Sequence, residues 1–371
     1  MLAQGLLLSL ALTGCGPHDS NNAAADTVSK PITDAQTLQS HVERIRSETG
    51  VPGIVVALAE GRGAPVVAAA GYANVEREIA VGPETGFFIG SISKNVFATV
   101  LLLLAEDGAV SLDDPLSAYA AWPQGDEITL RMLLNHTSGI PDYLSTLSLL
   151  AGRDGVPEFF HGRHPPSEII ELMPSRKPTF DPGTAQAYSN TNGLLVGQVI
   201  EVVTGRSLGE VLDERVVMPL GLKHTYLYDE KTINRERARG YCGMEGWVSR
   251  PGELIDCSFA DNALPNSADG SIVTSASDLL RYHRALRSGE LLSDSSWLAM
   301  RHVEPNFDNG LGYLIMQGPL GAHEGNVGRS IGHLSASLYY LEQDLFVVML
   351  INQGDAALPM RRLLELLYAM D

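Results

Sequence analysis

The hydrophobic positions near the start of the folded part predict one helix followed by a hairpin. Apolar residues recur every three or four positions over 38–48, which indicates an amphipathic helix. Two strand-like runs follow at 54–59 and 66–70. A glycine-rich turn joins them, so we expect the two strands to pair as a β-hairpin.

The same pattern returns near the C-terminus, where strands are predicted at 311–316, 335–341 and 345–351, followed by an amphipathic helix at 358–370. Between the two ends, the residues from about 91 to 302 alternate helical segments with Gly-, Pro- and Asp-rich loops. The expected fold class is α+β (an α/β sandwich). An antiparallel sheet built from both termini is flanked by helices and carries an inserted, mostly helical subdomain.

The first residues read as an export signal. The apolar run at 6–12 is too short to cross a bilayer, and it leads into Leu12-Thr13-Gly14-Cys15, which resembles a bacterial lipobox. This predicts a signal peptide at 1–14, a lipidated Cys15 with a polar tether at 15–36, and one hydrolase domain at 37–371. The absence of Lys and Arg before the apolar run leaves an ordinary signal peptide as the alternative. The predicted location is the bacterial cell envelope (periplasm), with the lipid as the only membrane contact.

Charge and cysteine content narrow the function classes. With 26 basic and 44 acidic residues the net charge is -18, which argues against a nucleic-acid partner. If Cys15 carries lipid, Cys242 and Cys257 remain to form a disulfide in an oxidising compartment, or to stay as two buried thiols. His161 and His164 lack further ligand residues nearby, so no metal and no organic cofactor are predicted.

The first candidate for chemistry is Ser91-Ile92-Ser93-Lys94, directly before the apolar run 96–105. If this run is a buried helix, Ser91 lies at its start and Lys94 lies on the same face one turn later. A hydroxyl becomes a good nucleophile when a base takes its proton, and a lysine can act as that base when burial lowers its pKa. The alternative is an ordinary N-cap serine and a surface lysine.

Two further motifs carry suitable groups. Tyr188 and Asn190 stand two residues apart, so the tyrosine can act as a general base while the asparagine orients a substrate amide and the lysine. Near the C-terminal strands, His323 is expected to bind the substrate, and Gly325 to let it approach the backbone. The N–H of Asn326 is then expected to join that of Ser91 as an oxyanion hole. A surface loop with an incidental histidine is the alternative.

Taken together, these motifs resemble the serine β-lactamase-like hydrolases, which include class C β-lactamases, D-alanyl-D-alanine carboxypeptidases, D-aminopeptidases and related esterases. The resemblance covers nearly all of residues 37–371. Further matching segments are Phe88-Ile89-Gly90, Leu112-Asp113-Asp114-Pro115, Leu133-Leu134-Asn135-His136-Thr137-Ser138-Gly139, Phe180-Asp181-Pro182-Gly183, Met218-Pro219-Leu220-Gly221, Ser275-Ala276-Ser277-Asp278-Leu279, Gly310-Leu311-Gly312-Tyr313 and Asn352.

The resemblance implies that Ser91 is the acylated nucleophile, that Lys94 and Tyr188 share the proton transfer, and that Asn190 positions substrate and lysine. Which of Lys94 and Tyr188 is the base stays open. His323 stands where class C β-lactamases carry the lysine of Lys-Thr-Gly, which turns the expectation away from antibiotics. The expected function is a D-alanyl-D-alanine carboxypeptidase-like enzyme acting on a small-molecule or peptide substrate, such as a peptidoglycan stem peptide. The alternatives are an esterase, a β-lactamase, or a catalytically silent peptidoglycan-binding lipoprotein.

Overall fold

The computed structural model describes residues 34–147, 159–243, 254–305, 307, 309–318, 321–354 and 362. The predicted signal peptide, Cys15 and nearly all of the tether lie outside the described residues. So does all but residue 362 of the helix predicted at 358–370.

Twelve strands are described, and seven of them form one antiparallel sheet in the order β3-β2-β1-β12-β11-β10-β9. A three-stranded sheet has the order β4-β8-β5, and β6 pairs with β7. The strands are β1 (Gly53–Glu60), β2 (Val66–Asn74), β3 (Ile79–Ala80), β4 (Phe87–Phe88), β5 (Tyr226–Leu227), β6 (Tyr241–Cys242), β7 (Ile255–Asp256), β8 (Ile272–Thr274), β9 (Leu314–Gly318), β10 (Gly321–Arg329), β11 (Leu334–Tyr340) and β12 (Leu345–Ile351).

Most helices lie between β4 and β9 along the chain, so the sheet is built from the two ends of the domain around a helical insertion. The α-helices described are α1 (Ala35–Thr49), α2 (Ile92–Glu106), α3 (Leu130–Leu134), α4 (Pro166–Leu172), α5 (Asn190–Thr204), α6 (Leu208–Leu212), α7 (Met218–Leu220), α8 (Ala276–Arg287) and α9 (Asp294–Arg301). Short 3-10 helices span Leu116–Ala118, Met173–Ser175 and Ser258–Asn262, and a π-helix spans Asp213–Val217.

The central strands are apolar on both faces because helices cover both sides of the sheet. Side chains alternate along a strand, so Ile54 and Val56 of β1 pack toward α1, whereas Val55 and Ala57 belong to the larger core that contains α2 and α8. Parallel sheets commonly show such double burial, but here the strands are antiparallel and β1 pairs directly with β12.

Helix α2 lies in the middle of the molecule. Eleven of its 15 residues are buried, in keeping with its apolar sequence on every side. It packs against α5 on one side and against β10 and β11 on the other. The start of α2 is therefore held between the helical insertion and the sheet.

The predicted α+β class with an antiparallel sheet is confirmed by this architecture. The helix predicted at 38–48 extends over Ala35–Thr49, and the predicted hairpin is β1 and β2. The strand β10 does not follow from the hydrophobic pattern, because its sequence GAHEGNVGR has no apolar alternation. Cys242 and Cys257 form a disulfide, with their Cα atoms 5.9 Å apart. Within the described residues, every helix is too short or too polar to cross a membrane.

Candidate active site

Ser91 occupies the position just before the first residue of α2, but its side chain does not cap the helix. Its Oγ lies 2.6 Å from the Tyr188 hydroxyl and 3.3 Å from Lys94 Nζ. The alternative of an ordinary N-cap serine with a surface lysine therefore does not apply. The hydroxyl is instead held between two groups that can exchange its proton.

Lys94 directs each of its three ammonium hydrogens to a different acceptor. Nζ donates to Asn190 Oδ1 at 2.8 Å, to the backbone oxygen of Asp269 at 2.6 Å, and to Ser91 Oγ at 3.3 Å. A lysine ammonium has three N–H donors, and these three oxygen acceptors equal them in number. Nζ also lies 5.2 Å from the centre of the Tyr188 ring, within the range of a cation–π contact.

Two glycines let the surrounding backbone reach this cluster. A Cβ added to Gly90, whose φ is 49°, would lie 2.6 Å from the Arg329 carbonyl oxygen of β10. A Cβ added to Gly193 in α5 would lie 2.8 Å from Cβ of Asp269 and 3.3 Å from Cε of Lys94. Side chains at either position would push apart the elements that enclose the nucleophile.

The Asn190 amide is held at the start of α5 by a carboxylate that the sequence motifs do not include. Asp142 Oδ1 accepts from the Asn190 backbone N–H at 2.8 Å and from its Nδ2 at 2.9 Å. The next residue, Tyr143, donates its buried hydroxyl to Asp269 Oδ2 at 2.9 Å. The only signal for Asp142 and Tyr143 in the sequence is that they follow the His136-Thr-Ser-Gly segment, and the sequence has no signal for Asp269.

His136 packs behind the tyrosine, with ring centres 4.5 Å apart. Its Nδ1 lies 3.3 Å from the Ser189 backbone N–H and 3.2 Å from Asn192 Nδ2, so it accepts from two donors. Burial, with the Lys94 charge as a second cause, lowers the pKa of His136 to about 3. This histidine is therefore neutral and supports Tyr188. In the sequence, His136 stands out only as part of a segment that matches the family resemblance.

The structure does not bring His323 to the nucleophile, contrary to the expectation from its motif. The imidazole stacks on Tyr340, which belongs to the core under α1, with ring centres 5.0 Å apart. The neighbouring Glu324 points to the opposite face, where Arg287 of α8 and Arg301 of α9 pair with it. Helix α2 and Ser91 lie on the face of the sheet that carries Glu324, so His323 is on the face opposite the nucleophile.

The oxyanion donor predicted at Asn326 also needs correction. Hydrogen bonds from Ser330 to His333 and from Leu341 to Ala322 set the pairing of β10 with β11, in which Asn326 is opposite Ser337. Alternate residues of an antiparallel strand bond to the same neighbour, so the Asn326 N–H points into the sheet toward β11. Its side chain instead donates to the Gly312 carbonyl at 3.0 Å.

The part of β10 that adjoins the nucleophile is Gly328 and Arg329, three residues after Gly325 and Asn326. A Cβ on Gly328 would lie 1.9 Å from the Ile89 carbonyl oxygen, and one on Gly90 would lie 2.7 Å from the Arg329 nitrogen. By the same alternation, the Arg329 N–H points away from β11, toward the start of α2. Gly325, with φ 131°, instead permits close pairing with β11, because a Cβ there would meet the Ser337 oxygen at 2.1 Å.

A metal centre finds no support in the part of the chain that the structure describes, where no three His, Cys, Asp or Glu side chains converge. His161 stacks on Phe259, and His164 stacks on Phe159 and contacts Glu168. Both imidazoles thus have aromatic partners.

Known proteins share this fold and this sequence pattern. The family model described as Beta-lactamase matches residues 38–369. A D-aminopeptidase of Brucella anthropi is 30% identical over 304 residues, which are 81% of this chain and 54% of that protein. Penicillin-binding protein 4* of Bacillus subtilis is 26% identical over 300 residues, 77% of this chain and 64% of that protein. The chain thus spans about half to two thirds of the length of these relatives.

Solved structures of related proteins have the same fold as this chain. The D-amino acid amidase from Ochrobactrum anthropi SV3, complexed with L-phenylalanine, superimposes with a TM-score of 0.76 at 25% identity, covering 89% of this chain and 98% of the amidase. A penicillin-binding protein from Bacillus halodurans gives 0.75 at 26% identity, covering 88% and 99%. The family model spans most of the chain and these structures share its fold. The chain therefore belongs to the beta-lactamase family.

Proposed function

We propose that this protein is a serine hydrolase that cleaves amide bonds through an acyl-enzyme on Ser91. The observation that carries the proposal is the placement of Ser91 Oγ, 2.6 Å from the Tyr188 hydroxyl and 3.3 Å from Lys94 Nζ. A nucleophile with a proton acceptor at hydrogen-bond distance, and a cation beside both, is the arrangement that covalent acyl transfer requires.

Tyr188 acts as the base in this mechanism. The Tyr188 hydroxyl is closer to Ser91 Oγ than Lys94 Nζ is, at 2.6 Å against 3.3 Å, and Lys94 Nζ has two further oxygen partners. Ser91 Oγ attacks the substrate carbonyl carbon while its proton passes to the Tyr188 phenolate oxygen. The Lys94 ammonium stabilises the negative charge on both oxygens. Tyr188 then gives the proton to the leaving amine, and the C–N bond breaks.

Deacylation repeats the transfer with water. Tyr188 takes a proton from a water molecule, which attacks the acyl carbon and releases the acid as Ser91 regains its proton. In both steps the carbonyl oxygen becomes negative. We assign its stabilisation to the Ser91 and Arg329 N–H groups, because a Cβ on Gly90, the residue before Ser91, would lie 2.7 Å from the Arg329 nitrogen. The start of α2 adds the partial positive charge of a helix N-terminus.

For the substrate, we propose a peptide or amide with a D-amino acid at the cleaved bond, with a peptide ending in D-Ala-D-Ala as the first candidate. Support comes from relatives named D-aminopeptidase, D-amino acid amidase and D-stereospecific amidohydrolase, and from the export signal predicted before Cys15. An enzyme anchored by lipid at Cys15 would meet cell-wall peptides. Mass spectrometry of membrane-extracted protein tests the anchor, because a first residue other than an acylated Cys15 would exclude it.

Parallel turnover assays test the substrate class. The purified protein is given a D-Ala-D-Ala peptide, a D-amino acid amide with its L-enantiomer, p-nitrophenyl butyrate and a cephalosporin, with Ser91→Ala as the control. We expect release of D-alanine or ammonia from the D-substrates only, and none from the variant. Efficient ester or cephalosporin cleavage without amide cleavage would contradict the assignment. Failure of every substrate to react would favour a silent binding protein.

A further inference from the structure

Asp142 uses its two carboxylate oxygens for different tasks. Oδ1 accepts from the backbone N–H and the Nδ2 of Asn190, at 2.8 and 2.9 Å. Oδ2 accepts from the backbone N–H and Oγ of Ser145, at 3.0 and 2.9 Å, at the start of the helical turn 143–147. The first task concerns the active site and the second is an ordinary helix cap.

The first task decides which end of an amide faces the lysine. An asparagine side chain carries an acceptor and a donor of nearly equal shape, and only its partners fix the orientation. Because Asp142 Oδ1 is an acceptor, it requires the Asn190 NH₂ group on its side. The Asn190 oxygen is thereby turned to Lys94 Nζ, 2.8 Å away. With the amide reversed, two donors would face each other and the ammonium would lose one of its three acceptors.

We propose that Asp142 is a positioning residue, which acts through Asn190 to keep the Lys94 ammonium pointed at Ser91 Oγ. The inference rests on the proposed function only in taking Ser91 as the nucleophile. Asp142 is separated from Asn190 by 48 positions in sequence, and no motif links them. Asp142 touches none of the groups that exchange protons, so its contribution is to their geometry alone.

The test separates the two oxygens of Asp142. Asp142→Ser keeps a good helix cap but removes the oxygen that holds Asn190. Ser145→Ala is the matched control, because it removes a bond on the capping side only. Asp142→Asn is the conservative variant, since its single oxygen can still accept from Asn190. The readouts are the rate at which a fluorophosphonate labels Ser91, which needs no knowledge of the substrate, and the thermal unfolding temperature.

We expect Asp142→Ser to be labelled about 100-fold more slowly than wild type, as a small displacement of catalytic groups can cause. Its unfolding temperature should stay within about 3 °C of wild type. Asp142→Asn should recover most of the rate, and Ser145→Ala should match wild type. Labelling of Asp142→Ser within threefold of wild type would overturn the inference. So would equal slowing of Asp142→Ser and Ser145→Ala, since the effect would then belong to the helix cap. A wild-type protein that is not labelled would instead count against the proposed function.

An exchange of the two side chains keeps the inference testable if Asp142→Ser does not fold. Asn190→Asp alone sets two carboxylates against each other, whereas Asn190→Asp with Asp142→Asn removes that repulsion. The double variant should be labelled at least about tenfold faster than Asn190→Asp, as expected for a coupled pair. A double variant no faster than Asn190→Asp would refute a direct coupling between the two positions.

Discussion

At the scale of single residues, the site depends on two different neighbours of one hydroxyl. Lys94 supplies positive charge and donates hydrogen bonds, while Tyr188 supplies the oxygen that receives the proton. His136 packs against the tyrosine ring as a neutral imidazole, so it adds no second positive charge there. Substitutions at these positions therefore have separable consequences.

Replacing Tyr188 by Phe tests the assignment of the base. The variant keeps the ring between His136 and Lys94 but loses the oxygen that lies 2.6 Å from Ser91 Oγ. The hydrolysis rate should fall by about 100- to 10,000-fold, the usual contribution of a general base, with little change in unfolding temperature. Steady-state kinetics beside thermal unfolding measure both. A rate within fivefold of wild type would remove Tyr188 from this role.

Replacing His323 by Ala tests where the substrate binds. The imidazole stacks on Tyr340 on the sheet face opposite α2, about 20 Å along β10 from Arg329. We expect kcat/KM to stay within about twofold of wild type, as for substitutions away from a site. A 100-fold loss of kcat/KM with an unchanged unfolding temperature would show that His323 reaches the substrate.

Local spacing predicts part of the site at this scale. Ser91 and Lys94 are three residues apart at the start of α2. Tyr188 and Asn190 are two residues apart at the start of α5, so short motifs identify all four residues. Asp142 and Asp269 could not be predicted in the same way. Asp269 meets Lys94 across 175 positions in sequence, and only tertiary packing creates such a contact.

At the scale of elements, the register of β10 decides what stands beside the nucleophile. The strand is rich in glycine and polar residues, so its pattern specifies the register only weakly, and the two glycines Gly325 and Gly328 are both suited to a close approach. The sequence points to the first of them. The structure places the second, Gly328, against the Ile89 carbonyl. The boundaries of β11 and β12 could be predicted far better, because β12 is a continuous apolar run and β11 is apolar apart from Ser335 and Ser337.

Replacing Gly328 by Ala tests this register. Its Cβ would lie 1.9 Å from the Ile89 oxygen, so β10 must move away from the start of α2. We expect the free energy of unfolding to fall by about 1–3 kcal/mol, typical of overpacking, together with a loss of hydrolysis. The control is Gly209→Ala in α6, where the nearest atom is 3.5 Å away. Equal denaturation midpoints for the two variants would contradict the observed register.

At the scale of the whole molecule, several ionisable groups are buried outside the site. Burial raises the pKa of Asp261 from its ordinary 3.8 to about 7, although Arg237 opposes the shift. Burial also lowers the pKa of His283 and His333 to about 3. The histidines contribute stability that is present above about pH 6.5 and lost as the pH falls toward 3. The pH dependence of the stability that Asp261 contributes has the opposite sign, because at intermediate pH the folded state holds a proton that the unfolded state has released.

Asp261→Asn tests that one group. His333 Nδ1 lies 3.9 Å from Asp261 Oδ1, but its pKa of about 3 keeps it neutral across the range from pH 5 to pH 8. The stability that Asp261 contributes is complete below about pH 3.8 and is lost as the pH rises through about 7. Between pH 5 and pH 8 the variant should therefore gain about 2.5 kcal/mol of unfolding free energy relative to wild type. Urea denaturation of both proteins at the two pH values measures this. A difference that is constant with pH would contradict a buried, proton-binding Asp261.

The most direct test of the central claim is the mass of the Ser91 peptide after reaction with an acylating or phosphonylating inhibitor. The account predicts one adduct, located on Ser91 in the wild-type protein and absent from Ser91→Ala at the same inhibitor concentration. An adduct on a different residue, or equal labelling of the two proteins, would contradict it.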